Sequence, residues 1–570
     1  MYTIQKLEHE VLQAIKGVTG KQYSPTVDEL TAPPDPKWGD ITFPCFRIAQ
    51  GQKRSPTEVA TELASRIEPR GFITKVHARG PYINFFINAP YLARHVLRET
   101  SLLGSRYGTW SVGRGKRVMV EYAQPNTHKA IHIGHVRNLA LGLSIVNLLR
   151  TVGFEVVTAS WHGDIGTHVA ATLWGLETFH AGETPPSSNR GAWLGAIYAE
   201  ATGRLVSHPE EKDAVAALQK KLEARDRAIL ARWRETRRWS IEEFKQIFHE
   251  LGVVIDRAYY ESELESAGRK IVADLLRRGI AKESQGAIVV SLEEWELGTF
   301  LVLKSDGSTL YATRDLALAE QKFRDFKLDR SIYVVDTRQT LFFKQLFKTL
   351  ELMGFKKPMV HVPYEFVTLK EGAISSRQGT VVTYEEVRDA VMRVALEETT
   401  ARHPDWPDRK RKKAAWQIAE AALKFSMLVP DVGRTIVFDI RAATSFDGAT
   451  GPYIQYTGAR IAGILRKAPR LGREKTLKPD GEITLVEKRI LFMLARFPEI
   501  VFGCAKDMRP APLAEYLFGL AKIFSEFYEA VPVLKAEPRE RAFRLALVQS
   551  VRTVLENGAR ILGFEIPKEM

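Results

Sequence analysis

The segment from residue 118 to residue 160 constrains the fold most strongly. VMVEYA is a short apolar run, QPNTHKAIHIGH follows it as a loop, a long helical period then ends at Gly153, and EVVTAS is a second β-forming run. The order strand, loop, helix, strand predicts a βαβ unit, whose two strands are parallel. We therefore expect an α/β protein with a Rossmann-like, doubly wound parallel sheet.

Around this unit the chain divides into three predicted parts. Residues 1–105 mix helical and strand patterns and predict a small N-terminal α/β domain. Residues 116–383 contain the sheet, interrupted by a charged insertion of helical pattern at about 175–295. In residues 384–570 the apolar positions recur at helical spacing, which predicts an α-helical C-terminal domain.

Charge and cysteine content narrow the class of partner. Lys and Arg number 82 against 68 Asp and Glu, a formal net charge of +14. This excess favours a polyanion such as nucleic acid, although a basic protein without such a partner fits the charge equally well. The two cysteines are far apart, which argues against a disulfide framework and against a cysteine-based zinc site. We find no signal peptide and no apolar run of ~18 residues, and expect a cytoplasmic protein that does not enter membranes.

A pair of histidines stands at the start of the predicted helix. His132 and His135 are separated by three positions, which places them on one helical face. Gly134 lies between them and leaves room for a close approach. A helix N-terminus attracts anions, and two imidazoles there can donate hydrogen bonds to a phosphate chain. Two satisfied loop histidines, or zinc ligands, are the alternatives.

Several sequence runs together resemble one enzyme family. His132–His135 reproduces the HIGH signature of class I aminoacyl-tRNA synthetases, and EYAQPNTHKAIHIGHVRNLALG resembles its arginyl-tRNA synthetase form. HGDIG, LYATRDLALA, SFDGATGPYIQYTGARI, GPYINFFIN and the C-terminal RLALVQSVRTVLENGARILGFEIPKEM resemble further segments of that family. The resemblance covers almost the whole chain. It implies ATP-dependent conversion of L-arginine to arginyl-adenylate, followed by transfer to the terminal adenosine of tRNA(Arg), with Mg²⁺ accompanying ATP and the protein a monomer.

The resemblance also assigns the phosphate-binding residues. The two histidines and Gly134 would bind ATP. The second family signature, KMSKS, corresponds here to AISSRQG, in which Ala373 and Ser376 replace the two lysines. Ser375, Ser376 and Arg377 would keep the catalytic role of that loop. Lys129, just before the histidine pair, would supply the missing cation, with a solvated loop lysine as the alternative.

An arginine substrate requires acceptors for its planar guanidinium and for its α-ammonium group. The candidate residues match the family's arginine-binding positions: Glu121, Asn126, Tyr311, Asp315 and Gln339. We expect Asp315 to bind the guanidinium and Tyr311 to form a pocket wall, with the other three near the α-amino and carboxyl groups. Taken singly, Asp315 could instead pair with Arg314 or cap a helix, and Gln339 could hold a turn.

Two further sets of residues have both a functional and a structural interpretation. His162 and Asp164 follow the second strand, at the sheet edge where ligands bind, and are candidates for ATP binding or simply turn residues. Aromatic and cationic residues in the C-terminal part could stack on unpaired tRNA bases or pack in a helical bundle: Tyr453, Gln455, Tyr456 and Arg460. The basic run 409–413 could contact phosphates or begin a solvated helix. By resemblance alone, the N-terminal domain contacts the tRNA elbow.

Three other functions fit parts of the sequence. A class I synthetase for cysteine or lysine would keep the fold, but a cysteine site would call for a zinc that two distant cysteines do not support. An RNA-binding paralogue without catalysis is supported only by the altered AISSRQG loop. A small nucleotidylyltransferase needs neither this length nor a helical C-terminal domain. The intact histidine pair and arginine pocket favour the arginine enzyme.

Overall fold

The computed structural model describes residues 1–370, 382–468 and 482–570. Its N-terminal unit packs helices on an antiparallel sheet of order β1–β3–β2. Apolar residues at helical spacing, Ile4, Leu7, Val11 and Ile15, form the buried stripe of the first helix. The elements of this unit are α1 (Thr3–Thr19), β1 (Ile41–Pro44), α2 (Phe46–Gln52), α3 (Pro56–Arg66), β2 (Ile73–Arg79), β3 (Tyr82–Ile87) and α4 (Ala89–Leu103).

The middle of the chain contains the predicted parallel sheet. Its elements are β4 (Arg117–Glu121), α5 (Ile133–Thr151), β5 (Glu155–His162), α6 (Thr167–Thr178), α7 (Arg190–Ser207), α8 (Lys212–Glu223), α9 (Arg227–Glu250), β6 (Arg257–Tyr260), α10 (Glu261–Arg277), β7 (Lys282–Ser284), β8 (Ala287–Ser291), β9 (Thr299–Leu303), α11 (Tyr311–Phe326), β10 (Arg330–Asp336), α12 (Thr340–Leu352), β11 (Met359–Tyr364) and β12 (Val367–Leu369). Five strands pair in parallel in the order β11–β10–β4–β5–β6.

The strand order fixes the position of the histidine pair. From β4 the chain builds outward through β5 and β6, and later returns to add β10 and β11 on the other side of β4. The order therefore reverses between β4 and β10, and the loop from β4 to α5 begins at that point. Ligands of doubly wound sheets bind at this switch point, outside the carboxyl ends of the strands.

The insertion is less uniformly helical than its sequence pattern predicts. Helices α7, α8, α9 and α10 lie in it, but β6 is an edge strand of the main sheet, pairing Ala159 with Arg257. Strands β7, β8 and β9 form a separate antiparallel sheet, so the run TFLVLKSDG does not rejoin the main sheet as its apolar pattern suggests. Four strand residues between two long helices give too little period to reveal β6 in the sequence.

The C-terminal part is almost entirely helical, as predicted. The stripe of Leu517, Leu520, Ala521 and Phe524 is buried, in an apolar core that also includes residues of α1 and α5. Within the described ranges, no helix is long and apolar enough to cross a bilayer. The elements are α13 (Tyr384–Arg402), α14 (Asp408–Leu428), β13 (Ile436–Phe438), α15 (Ile440–Thr444), α16 (Gly451–Lys467), α17 (Leu485–Asp507), α18 (Ala511–Ala530) and α19 (Pro538–Leu562).

Candidate active site

His132 and His135 form a hydrogen-bonded cap at the start of α5. Nδ1 of His132 accepts from the backbone N–H of Gly134 at 3.1 Å, and Nδ1 of His135 accepts from the backbone N–H of His132 at 3.1 Å. Because Nδ1 accepts in both rings, the proton of each neutral imidazole lies on Nε2. The ring centroids are 4.0 Å apart. The pair therefore offers two Nε2–H donors beside a helix N-terminus.

The electrostatic surroundings keep both rings neutral. Burial lowers the pKa of His132, and the positive charges of Arg338 and Lys129 lower it further. Burial also holds the pKa of His135 well below its usual value, with His132 and Lys129 acting in the same direction. Two cations and two neutral donors at a helix N-terminus favour a bound anion such as a phosphate group.

Gly134 has a steric reason to be glycine in addition to leaving room for a ligand. A Cβ atom built there would lie 2.9 Å from Cε1 of the His132 ring. A side chain at this position would therefore displace the imidazole whose Nδ1 caps the helix. The cap itself therefore favours glycine at this position of the HIGH signature.

The loop between β4 and α5 is held in an unusual backbone conformation. Ala123 and His128 adopt φ values of 58° and 65°, a region that non-glycine residues rarely occupy. At Ala123, the backbone N–H donates to the side-chain oxygen of Asn138 at 2.5 Å. At His128, which is buried, the ring Nε2 lies 2.7 Å from Thr236 Oγ1. These contacts fix the loop that contains Asn126 and Lys129.

Carboxylates outnumber cations in the predicted arginine pocket. Glu121, at the end of β4, is buried and ion-paired with buried Lys322. Glu261 is ion-paired with Arg314, and burial raises the pKa of Glu261 to about 7 although Arg314 opposes the shift. Asp315, on α11, makes no hydrogen bond or ion pair with the described residues. Burial, followed by repulsion from Glu121, raises the pKa of Asp315 well above its ordinary value. A cationic ligand would balance this charge.

The remaining pocket candidates differ in their exposure and in their contacts. Tyr311, the first residue of α11, is 53 % exposed and borders a cavity of about 490 Å³ together with Lys129. Nζ of Lys129 lies 4.8 Å from the ring centre of Tyr198. Asn126 faces Gly163, next to Glu261. Gln339 is exposed just before α12 and makes no described contact with the other four candidates.

His162 and Asp164 make internal contacts that match the structural alternative. The two ring nitrogens of buried His162 are 3.0 Å from Ser160 Oγ and 3.1 Å from the Pro125 carbonyl, and burial lowers its pKa to about 4. The carboxylate of buried Asp164 accepts from Arg237 at 2.7 Å and from the Ser262 hydroxyl at 2.6 Å. These polar atoms are occupied by the protein, so the structure offers no support for direct ATP contacts through them.

The four C-terminal candidates separate into two kinds. Buried Gln455 donates to the carbonyls of Gln417 and Glu565, at 3.0 and 2.7 Å, and the Tyr453 hydroxyl contacts Ser525. These two pack inside the helical bundle, as in the structural alternative. Arg460 donates to the Tyr456 hydroxyl at 2.8 Å and also contacts the ring of Tyr528, which is 43 % exposed. The sequence places Tyr528 on the apolar face of α18 with Leu517 and Phe524, but the structure exposes it. Its contact with Arg460 was missed because the two residues lie far apart in sequence.

Arg338 is a second residue that sequence reasoning missed. It follows β10, and its guanidinium binds the Asp336 carboxylate at 2.7 and 3.0 Å while remaining exposed. The signal available in the sequence was a basic residue just after a strand of the parallel sheet.

The signature-loop candidates Ser375, Ser376 and Arg377 lie outside the described residues. Within residues 1–370, 382–468 and 482–570, no three His, Cys, Asp or Glu side chains are grouped to hold a metal.

The parallel sheet, the histidine pair at the helix that follows its first strand, and the helical C-terminal part define a class I aminoacyl-tRNA synthetase. Three family models match: "tRNA synthetases class I (R), catalytic domain" over 99–439, "DALR anticodon binding domain" over 454–570, and "Arginyl tRNA synthetase N terminal domain" over 5–87.

Individual relatives agree with these matches. The arginine–tRNA ligase of Bdellovibrio bacteriovorus is 37% identical over 100% of this chain and 99% of its own length. That of Halothermothrix orenii is 32% identical over 95% of each chain. The solved Thermus thermophilus arginyl-tRNA synthetase has a TM-score of 0.82 at 28% identity, covering 99% of this chain and 100% of that one. The chain therefore belongs to the arginyl-tRNA synthetase family. This membership confirms the predicted fold class and the predicted activity, ATP-dependent attachment of arginine to tRNA.

Proposed function

We propose that the histidine pair stabilises the transition state of arginine activation. In this step a carboxylate oxygen of L-arginine forms a bond to the α-phosphorus of ATP, and the bond from that phosphorus to the pyrophosphate oxygen breaks. His132 and His135 donate their Nε2–H groups to phosphate oxygens as charge moves onto pyrophosphate. The observation behind this role is that both Nδ1 atoms are engaged in the helix cap, which leaves Nε2–H as the donor.

Positive charge near the phosphates would come from Lys129 and Arg338. Both lower the pKa of His132, so both lie within electrostatic reach of the pair. The sequence has no lysine at the usual signature-loop positions, and Ser375, Ser376 and Arg377 are the residues to which we assign the role of that loop. Mg²⁺ would be held mainly by the phosphate oxygens and water, as is usual for this ion.

The arginine side chain would bind where negative charge is in excess. Asp315 accepts from the guanidinium, and Tyr311 closes the pocket beside it. Glu121, Asn126 and Gln339 hold the α-amino and carboxyl end. The assignment of Gln339 is supported only by its matching position in the family. Asp315, Glu121 and Tyr311 are also connected by electrostatic interactions.

The tRNA contacts are assigned to the parts outside the sheet. Tyr456 and Arg460, with Tyr528, would stack on anticodon bases, while Tyr453 and Gln455 hold the helix that presents them. The proposed functional units are 1–105 for the tRNA elbow, 116–383 for catalysis and 384–570 for the anticodon. We further propose a monomer that works in the cytoplasm, with His162 and Asp164 as residues that position the ATP-side loops.

The decisive experiment is ATP–pyrophosphate exchange with each of the twenty amino acids, with and without tRNA(Arg). Exchange with arginine alone is the expected result, and the variant His135→Asn, which loses the Nε2–H donor, should reduce kcat by roughly 100-fold. Exchange with another amino acid would refute the pocket assignment. Binding of tRNA without any exchange would favour the non-catalytic RNA-binding paralogue.

A further inference from the structure

Arg137, in the second turn of α5, has a buried guanidinium bound by main-chain carbonyls. The residue is 1 % exposed. Its Nη1 donates to the carbonyls of Glu365 at 2.5 Å, Arg434 at 2.8 Å and Phe366 at 3.4 Å, and its Nη2 donates to those of Asp431 at 3.2 Å and Val432 at 3.3 Å. In the described ranges no carboxylate hydrogen-bonds to it. A guanidinium stays charged even where burial lowers its pKa, so these carbonyl groups stabilise the charge.

The five carbonyls belong to two separate segments. Residues 365–366 connect β11 to β12, and residues 431–434 connect α14 to β13. The segments also bind each other, because the Glu365 N–H donates to the Val432 carbonyl at 2.9 Å. Arg137 therefore joins the helix of the histidine pair to the end of the main sheet and to the loop that follows α14 in the helical C-terminal part.

The contacts continue toward the anticodon-binding helices. The carboxylate of Asp431, whose carbonyl binds Arg137, is ion-paired with Arg509, the Nε–Oδ2 distance being 3.0 Å. Arg509 lies between α17 and α18. On another side of the same helix turn, Asn138 donates to the Val334 carbonyl of β10 at 2.8 Å. The first two turns of α5 are thus fixed from two directions, and the Arg137 contacts connect them to the loop before α18.

We propose that Arg137 is a positioning residue for arginine activation, which fixes His132 and His135 relative to the sheet edge by binding the carbonyls of both segments. This inference rests on the proposed function of the histidine pair. Misplacing a reacting group by about 1 Å can reduce a rate about 100-fold, so small shifts of α5 suffice. Lysine cannot replace the planar fork, because its ammonium presents only three donors from one point.

The test compares Arg137→Lys and Arg137→Met with Arg150→Lys, which changes an arginine near the end of the same helix that makes a single 3.3 Å bond to the Val156 carbonyl. Arginine-dependent ATP–pyrophosphate exchange is measured on each full-length variant with tRNA(Arg) present, alongside circular dichroism and thermal unfolding. We expect kcat to fall roughly 10-fold in the lysine variant and roughly 100-fold in the methionine variant, while KM for arginine changes less than about threefold. Arg150→Lys should behave as wild type.

Folded variants with wild-type kcat, or with the loss confined to KM for arginine, would overturn the inference. If the methionine variant does not fold, the lysine variant still decides, since its charge is retained. Arg509→Gln supplies a second test that leaves the buried site intact, and a several-fold loss of kcat without a change in KM for arginine is expected. Wild-type protein that shows no arginine-dependent exchange would instead contradict the proposed function itself.

Discussion

Replacement of Asp315 by asparagine tests the arginine pocket most directly. The change keeps the shape of the side chain and removes its charge. Truncating one partner of a buried charge pair costs about 2–5 kcal/mol, and because Asp315 is only half-buried we use the lower end, about 2–3 kcal/mol, or roughly 30- to 150-fold in affinity. We therefore expect KM for arginine to rise by that factor in ATP–pyrophosphate exchange, with KM for ATP nearly unchanged.

The same substitution should stabilise the empty protein. Burial and Glu121 raise the pKa of Asp315 in the folded state, so its ionised form destabilises the fold at pH values above the ordinary carboxyl pKa. This cost is absent at low pH, where the group is protonated in both states. Asp315→Asn removes the cost, and its thermal midpoint at neutral pH should exceed that of the wild type.

The pH dependence of arginine binding has the opposite sign. Arginine binds the ionised carboxylate, so KM for arginine should rise as the pH falls through the raised pKa of Asp315. Asp315→Asn should lose that part of the dependence. Asp325→Asn, at an exposed position of the same helix α11, is the matched control and should change neither KM nor its pH profile. A KM for arginine within twofold of wild type in Asp315→Asn would refute the assignment.

Three further changes probe the phosphate side and the loop. Arg338→Gln should lower kcat of exchange about tenfold, a modest loss because an exposed cation is partly screened by solvent. The control Arg324→Gln should leave kcat unchanged, and an unchanged kcat in Arg338→Gln would exclude a role for Arg338. Lys129→Met should lower kcat roughly 10- to 100-fold; a normal kcat would identify it as a solvated loop lysine. Gly163→Ala should raise KM for arginine, because the added Cβ would overlap Oδ1 of Asn126; unchanged steady-state kinetics would show that Asn126 does not contact the substrate.

Much of the fold was predictable because its strongest elements are local. The run VMVEYA, the helix that ends near Gly153 and the run EVVTAS each have a clear period, and their order forces a parallel pairing. Strand β6 was not predictable, because four residues after a long helix become a strand only by pairing with β5. Strand β9 was not predictable either, because its apolar residues would suit the main parallel sheet as well as the separate antiparallel sheet.

The site shows a similar division between local and long-range information. The histidine pair is a local pattern, and its cap depends on atoms within four residues of chain. By contrast, the roles of His162 and Gln455 depend on partners that are distant in sequence, such as the Glu565 carbonyl. A polar residue in a segment that resembles the family can either bind the substrate or stabilise the fold. Only its surroundings in the structure distinguish these two roles.

Arg137 shows why some positioning residues have no sequence signature. A guanidinium that binds a carboxylate implies an acidic residue, which a sequence can reveal. Each carbonyl around Arg137 is a main-chain group that almost any residue would provide. The carbonyl groups come together because of the paths of the two loops, 365–366 and 431–434. These loops meet only when β12 pairs with β13. The requirement for arginine therefore originates in the assembled fold, and substitutions in either loop should be tolerated as long as that path is preserved.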